Sequence, residues 1–220
     1  MNIIVTGATG LVGAEVIREA INDPGITSIT ALARRPLTIP AHPKVNTVIH
    51  REFMNYSGLE KLFAMNDACL WCLGISQSQV SKEEYETITY GVTIAAAKAM
   101  TRANPIMTFM FLSGEGSDTT EQSKTLFARI KGKAENELER MALKQLYIIR
   151  PAAIRPVHAN PNAPFIYKLL LPVFPLLQLI KPSSVINSVQ LAKAMLHIVK
   201  SRPQQVLFRN PHLKEIAKGL

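Results

Sequence analysis

Runs of β-branched and apolar residues alternate with longer stretches of helical periodicity from the first residue to about 150. That is the pattern of βαβ units feeding a parallel sheet. It predicts strands at Asn2–Thr6, Ser28–Ala33, Val45–Ile49, Ala68–Leu73, Ile106–Leu112 and Leu146–Arg150, and helices over Leu11–Asn22, Ser81–Arg102 and Glu121–Leu143. The second of these helices opens on Ser81-Lys82-Glu83-Glu84, a capping box that ties up otherwise unpaired amides, while Pro151 stops the sixth strand. Right-handed crossovers then give a six-stranded doubly wound core.

Beyond residue 150 the pattern changes. Residues 151–184 hold seven prolines and few periodic runs, and read as a small lobe over the sheet. Within it, Phe165–Ile180 is apolar for 16 residues but contains Lys168, Pro172 and Pro175, where a spanning helix needs about 20. It reads as a pocket lid or buried lobe, with a subunit contact or a membrane-surface element as alternatives. A helix over Val189–Lys200 and a strand over Gln205–Phe208 return to the core. The expected fold class is therefore α/β: one Rossmann-type, doubly wound parallel-sheet domain over residues 1–220, with a small C-terminal lobe.

With 47% apolar and 19% charged residues in 220, the chain has enough material for a sizeable core. Twenty-five Lys and Arg against sixteen Asp and Glu leave a formal charge of +9, which favours anionic partners. The basic residues are scattered, which argues against nucleic acid and fits the phosphates of a nucleotide. Residues 181–220 carry seven Lys or Arg against Glu215 alone, so peripheral contact with acidic lipid is a lesser reading. The amino terminus runs straight into a strand pattern without a signal peptide, so a cytoplasmic location is expected. Cys69 and Cys72 fall in one strand at odd spacing, on opposite faces and about 10 Å apart, which reads as two core thiols. The five histidines are dispersed, so no metal site is expected. Glu83, Glu84 and Glu86 read as complements to a helix dipole.

The most informative segment is Thr6-Gly7-Ala8-Thr9-Gly10-Leu11-Val12-Gly13, set between the first strand and the first helix. There, backbone amides and the positive end of a helix dipole can meet a pyrophosphate. One glycine permits a tight turn, one lets phosphate approach the backbone, and one lets the helix pack closely on the sheet. In NAD-binding folds an acidic residue some 20 positions further on accepts from the ribose 2′-hydroxyl. Here the second strand ends in Ala33-Arg34-Arg35-Pro36, and two guanidinium groups suit a 2′-phosphate instead. NADP is expected as the cofactor in preference to NAD.

Taken in order, Thr6 to Gly13, Arg34-Arg35, Cys72-Leu73-Gly74, Phe111-Leu112-Ser113, Lys131-Gly132-Lys133-Ala134-Glu135 and Arg150-Pro151 resemble the atypical, extended-like branch of the short-chain dehydrogenase/reductases, close to the Tat-interacting-protein-like oxidoreductases. The resemblance covers nearly the whole chain. It implies that Leu73 and Gly74 border the cofactor ribose, that Glu52 and Phe53 flank the adenine, that Lys131 hydrogen-bonds the nicotinamide ribose, and that Pro151 and Ala152 line the nicotinamide end.

The superfamily's chemistry uses a Tyr-x-x-x-Lys pair in which the lysine lowers the tyrosine pKa and the tyrosine exchanges a proton with substrate. The matching segment here is Phe127-Ala128-Arg129-Ile130-Lys131, and phenylalanine has no proton to give. None of the five tyrosines has a lysine four residues later. Tyr85 and Tyr90, on the helix after the fourth strand, are the phenols that could reach in. The orienting serine, second in a Ser-Ser pair in this branch, is matched by Ser113-Gly114, leaving Ser113 to fill the role. The resemblance thus implies catalytic positions Ser113 and Lys131. Two functions follow: reduction of a small apolar carbonyl compound, or cofactor sensing without turnover. Either would act on a small molecule, in a monomer or homodimer.

Overall fold

The computed structural model describes residues 1–37, 41–141, 143–158 and 184–220. The elements run β1 (Asn2–Thr6), α1 (Leu11–Asn22), β2 (Ser28–Ala33), β3 (Val45–Ile49), α2 (Glu60–Ala64), β4 (Ala68–Trp71), α3 (Lys82–Glu86), α4 (Val92–Ala103), β5 (Thr108–Leu112), α5 (Leu126–Arg140), β6 (Gln145–Arg150), β7 (Ala153–Arg155), β8 (Val185–Asn187), α6 (Ser188–Ser201), β9 (Leu207–Arg209) and α7 (Asn210–Lys218). A single π-helical turn, Thr87–Gly91, joins α3 to α4. Seven strands form one sheet in the order β3-β2-β1-β4-β5-β6-β9. Every pairing in it is parallel. The chain order reverses at β1, so a crevice opens beyond the carboxyl end of that strand.

The two-residue alternation of the strands decides which helix each residue meets. Ile3, Val5 and Leu70 pack with Val12, Val16 and Ile17 of α1 and Leu191, Met195 and Ile198 of α6. Ile4, Cys69, Trp71 and Phe109 face the opposite layer, with Val92, Ala96 and Met100 of α4 and Ala134 and Leu138 of α5. Cys72 packs against the first of these clusters and Cys69 belongs to the second, and both are free thiols. The opposed faces read from their spacing are what is found.

Several boundaries differ from the sequence reading. The helix expected over Glu121–Leu143 begins only at Leu126. The Asp118 carboxylate accepts from the amides of Thr120, Gln122 and Ser123, and Glu121 takes φ +61°, so an acid-capped loop replaces the first turn. Ser81 caps α3 as expected, accepting from the Glu84 amide at 3.1 Å. The helix beyond it is interrupted by the π turn, where Thr93 Oγ1 donates to the Thr89 carbonyl at 2.8 Å and accepts from Trp71 Nε1 at 2.9 Å. The helix α2, the parallel pair β7–β8 and the helix α7 had not been foreseen. Most of the 151–184 lobe, including Phe165–Ile180, lies outside the described residues. No helix among the described residues is long and apolar enough to cross a membrane.

Candidate cofactor site

At the end of β1, Thr6 is fully buried and its Oγ1 accepts from the amides of Cys72 at 3.1 Å and Leu73 at 3.2 Å. Those two amides therefore leave the sheet ladder, which ends β4 at Trp71 rather than Leu73 and brings Cys72 and Leu73 against Thr6 and Gly7, with Gly74 exposed beyond them. Gly7 has φ +62°, and a Cβ there would lie 2.4 Å from the Cys72 carbonyl oxygen. Only glycine meets both conditions. A Cβ on Gly13 would lie 2.3 Å from the Gly7 oxygen, so this glycine lets α1 close on the turn. The Gly10 amide donates to the Gly7 oxygen at 2.8 Å.

Gly10 is the N-cap of α1, offers no side chain to it, and is followed by no acidic residue in the first turn. The positive end of the helix dipole thus meets a glycine-lined surface, a ready anion cradle. Ala8 and Val12 are buried in the core while Thr9 and Leu11 are half-buried. Arg34 and Arg35 project from the end of β2, the strand beside β1, and both are exposed. The loop amides at the start of α1 fit the pyrophosphate of a dinucleotide.

The adenine-side pair divides. Glu52 is exposed, whereas Phe53 turns inward, with its ring 6.4 Å from Trp71. His50, half-buried and stacked on Tyr56 at 5.2 Å, is the more accessible ring of that turn, and the sequence reading had not singled it out.

The remaining site residues gather at the ends of β5 and β6. The Ser113 amide donates to Ile149 and the Glu115 amide to Pro151, each at 2.8 Å. The Ala152 amide donates to Asn210 Oδ1 at 3.2 Å. Lys131, one turn beyond Phe127 on α5, is buried, with its ammonium donating to the Leu112 carbonyl at 2.8 Å and lying 4.5 Å from the centre of the Phe111 ring. Ser113 Oγ contacts Ser117 Oγ at 2.9 Å and donates to the buried carboxylate of Glu135, which also holds Arg150. The serine hydroxyl therefore faces inward. Tyr85 is fully buried, and Tyr90 lies under the ammonium of Lys133, 4.5 Å from its ring centre, so neither phenol is paired with Lys131.

Burial lowers the Lys131 pKa to about 8, against the opposing pull of Glu135 and Cys72. Burial pushes the Cys72 thiol up to about 12, with Lys131 opposing. In the unfolded chain Lys131 returns to its ordinary 10.5, so between pH 8 and 10.5 the unfolded state binds the extra proton. The cost of burying the charge, on the order of 3 kcal/mol, is then relieved as the pH rises through that window. Denaturant titrations at pH 7 and pH 10.5 should show Lys131→Met to be favoured over wild type at pH 7 by that margin more than at pH 10.5. An unchanged difference would place the ammonium in water.

The profile of the NAD(P)H-binding family matches residues 7–163. The chain belongs to this family, within the atypical short-chain dehydrogenase/reductases. Among its relatives is the mitochondrial protein FMP52 of Candida albicans, 29% identical over 70% of this chain and 67% of its own length. Leucinostatins biosynthesis cluster protein T of Purpureocillium lilacinum is 31% identical over 70% of this chain and 65% of its own. Protein HTATIP2 of Rattus norvegicus is 22% identical over 70% and 62%. The match thus spans about two thirds of each relative. Of solved structures, a UDP-N-acetylglucosamine 4-epimerase from Methanobrevibacter ruminantium superposes with a TM-score of 0.71 at 16% identity, covering 94% of this chain and 75% of the epimerase, which establishes the shared fold.

Proposed function

We propose that the chain binds NADP(H) in preference to NAD(H), and holds a small apolar molecule beside the dinucleotide without the tyrosine-dependent proton transfer of its superfamily. The observation that carries this reading is the glycine cradle opening beside two exposed guanidinium groups, and it is supported by the phenylalanine that takes the tyrosine's place in the Tyr-x-x-x-Lys pattern. Gly7, Gly10 and Gly13 would receive the pyrophosphate, Arg34 and Arg35 the 2′-phosphate, and Lys131, Pro151 and Ala152 would lie at the nicotinamide end. When bound, the dinucleotide supplies hydride-transfer capacity; the chain's own residues bind it and shield it. A second reading, reduction of a small apolar carbonyl, is favoured by the retention of Lys131, whose ammonium is poised near pH 8.

Calorimetric titration with NADPH and NADH tests the cofactor. A charge-assisted hydrogen bond contributes about 1.5–3 kcal/mol, so Arg34→Asp should weaken NADPH binding roughly ten- to hundredfold with little change for NADH. Equal affinity of the wild type for both cofactors would remove the argument. NADPH oxidation across a carbonyl panel decides between the two readings.

A further inference from the structure

The two departures from the superfamily pattern, at positions 114 and 127, touch each other. A Cβ built on Gly114 would lie 2.7 Å from Phe127 Cζ, with the ring's ε carbons at 3.5 and 3.7 Å. The ring thus points tip-first at the glycine and fills the space a side chain at 114 would take. A tyrosine hydroxyl would extend from that same tip toward the same backbone. Neither hydroxyl of the usual arrangement fits while the other partner stands as it does.

The surroundings fix this pose. The Phe127 amide donates to Gln77 Oε1 at 2.9 Å, holding the start of α5 to the loop after β4. The Glu115 amide donates to the Pro151 carbonyl at 2.8 Å, holding the Gly114 loop to the end of β6. Both hydroxyls beside the glycine are turned inward: Ser113 donates to Glu135, and Ser117 donates to the Gly114 carbonyl at 2.7 Å. Phe127 is only half-buried.

We infer that Gly114 and Phe127 form one specificity unit, an aryl wall that holds a planar, uncharged, apolar ring where a carbonyl group would need hydroxyl donors. The inference rests on the proposed dinucleotide reading for its location, and on the contact between the two residues for its substance. Aromatic rings pair through offset or edge-on contacts that add to the area they bury, whereas a carbonyl placed on such a wall would leave its oxygen unpaired. Substitution at Gly114 moves a side-chain tip rather than backbone, so the variants should fold.

Indole, with glycerol as the polar control, is titrated calorimetrically into the NADP⁺-saturated protein. Saturable indole binding is expected in the wild type, weakened about tenfold in Phe127→Ala. A smaller loss is expected in Phe127→Leu, which keeps apolar volume without a plane. Gly114→Ala should weaken indole by displacing the ring, yet Gly114→Ala in the Phe127→Ala background should cost nothing further, because the ring it displaces is gone. Indole binding unchanged by Phe127→Ala, absent from the wild type, or lost additively in the double variant would overturn the inference. NADP⁺ affinity, measured in the same titrations, separates the two levels. Its absence in the wild type removes the cofactor reading. The non-additivity is then read from melting temperatures, where Gly114→Ala should lower the wild type's by several degrees and leave that of Phe127→Ala unmoved; an equal drop in both would overturn the unit.

Discussion

Gly132→Ala is expected to lower the melting temperature by roughly 10 °C or more, although alanine is the better helix former. A Cβ at this position of α5 would lie 1.8 Å from the carbonyl oxygen of Asp118 and 2.2 Å from its carbon. Helix propensity would return about 1 kcal/mol. Overpacking of a close contact costs about 1–3 kcal/mol, and more where the neighbour cannot yield. Here it cannot: the Asp118 amide donates to the Ala128 carbonyl at 2.9 Å, and the Asp118 carboxylate holds the turn over Thr120–Ser123. The helix itself must move. A net loss of about 4 kcal/mol at 2–4 °C per kcal/mol gives the expected shift. Because α5 also carries Phe127 and Lys131, the displacement should weaken NAD(P)H binding as well as stability. A variant melting within 2 °C of wild type would mean that helix and loop do not approach so closely.

That contact could not be read from the sequence, although its residue could. Lys131-Gly132-Lys133 stood out as part of a family pattern, but a glycine inside a helical run looks the same whether it meets a carbonyl or open water. The sheet was legible because parallel strands buried on both faces leave continuous apolar runs, and the glycine loop because its spacing and its place after β1 are constrained by backbone geometry. The helix α2 escaped because five residues hold too little periodicity. The strands β7 and β8 escaped because three-residue strands flanking a proline-rich region carry no alternation. The end of β4 was misplaced by two residues because Thr6, 66 positions away from Cys72, takes the amides that would have continued it. Phe127 and Gly114 were each visible as departures from a pattern; that they are one departure emerged only from the distance between them. For the same reason the partner of Ser113 was hidden. Its hydroxyl is directed by Glu135, 22 residues on, whose burial nothing in its neighbourhood of charged residues announces.

Glu135→Gln is expected to destabilise the protein by about 3–5 kcal/mol, more than Ser113→Ala, although the serine is the residue with the catalytic resemblance. Glu135 and Arg150 are both buried, and the carboxylate accepts from Arg150 Nε at 3.0 and 3.1 Å, from Nη2, and from Ser113 Oγ. The amide of glutamine keeps the shape but leaves the guanidinium without its buried counter-charge, and little solvent reaches it. Glu115 and Glu139 also act on Arg150, the former already paired with Arg209 at 2.5 Å, and their pull sets the loss toward the lower end of the range. Ser113→Ala removes one donor from a carboxylate that retains its arginine, at about 1–3 kcal/mol. Replacing the charged pair together, as Glu135→Leu with Arg150→Met, should recover most of what Glu135→Gln loses, because the desolvation of two charges disappears with them. Chemical denaturation of the four proteins measures this. If Glu135→Gln costs no more than Ser113→Ala, the carboxylate is not the buried anchor of this corner, and the inward-facing serine would need another explanation. If the apolar pair is as unstable as the single variant, then packing rather than charge compensation holds β5, β6 and α5 together at the end of the sheet where the nicotinamide is expected.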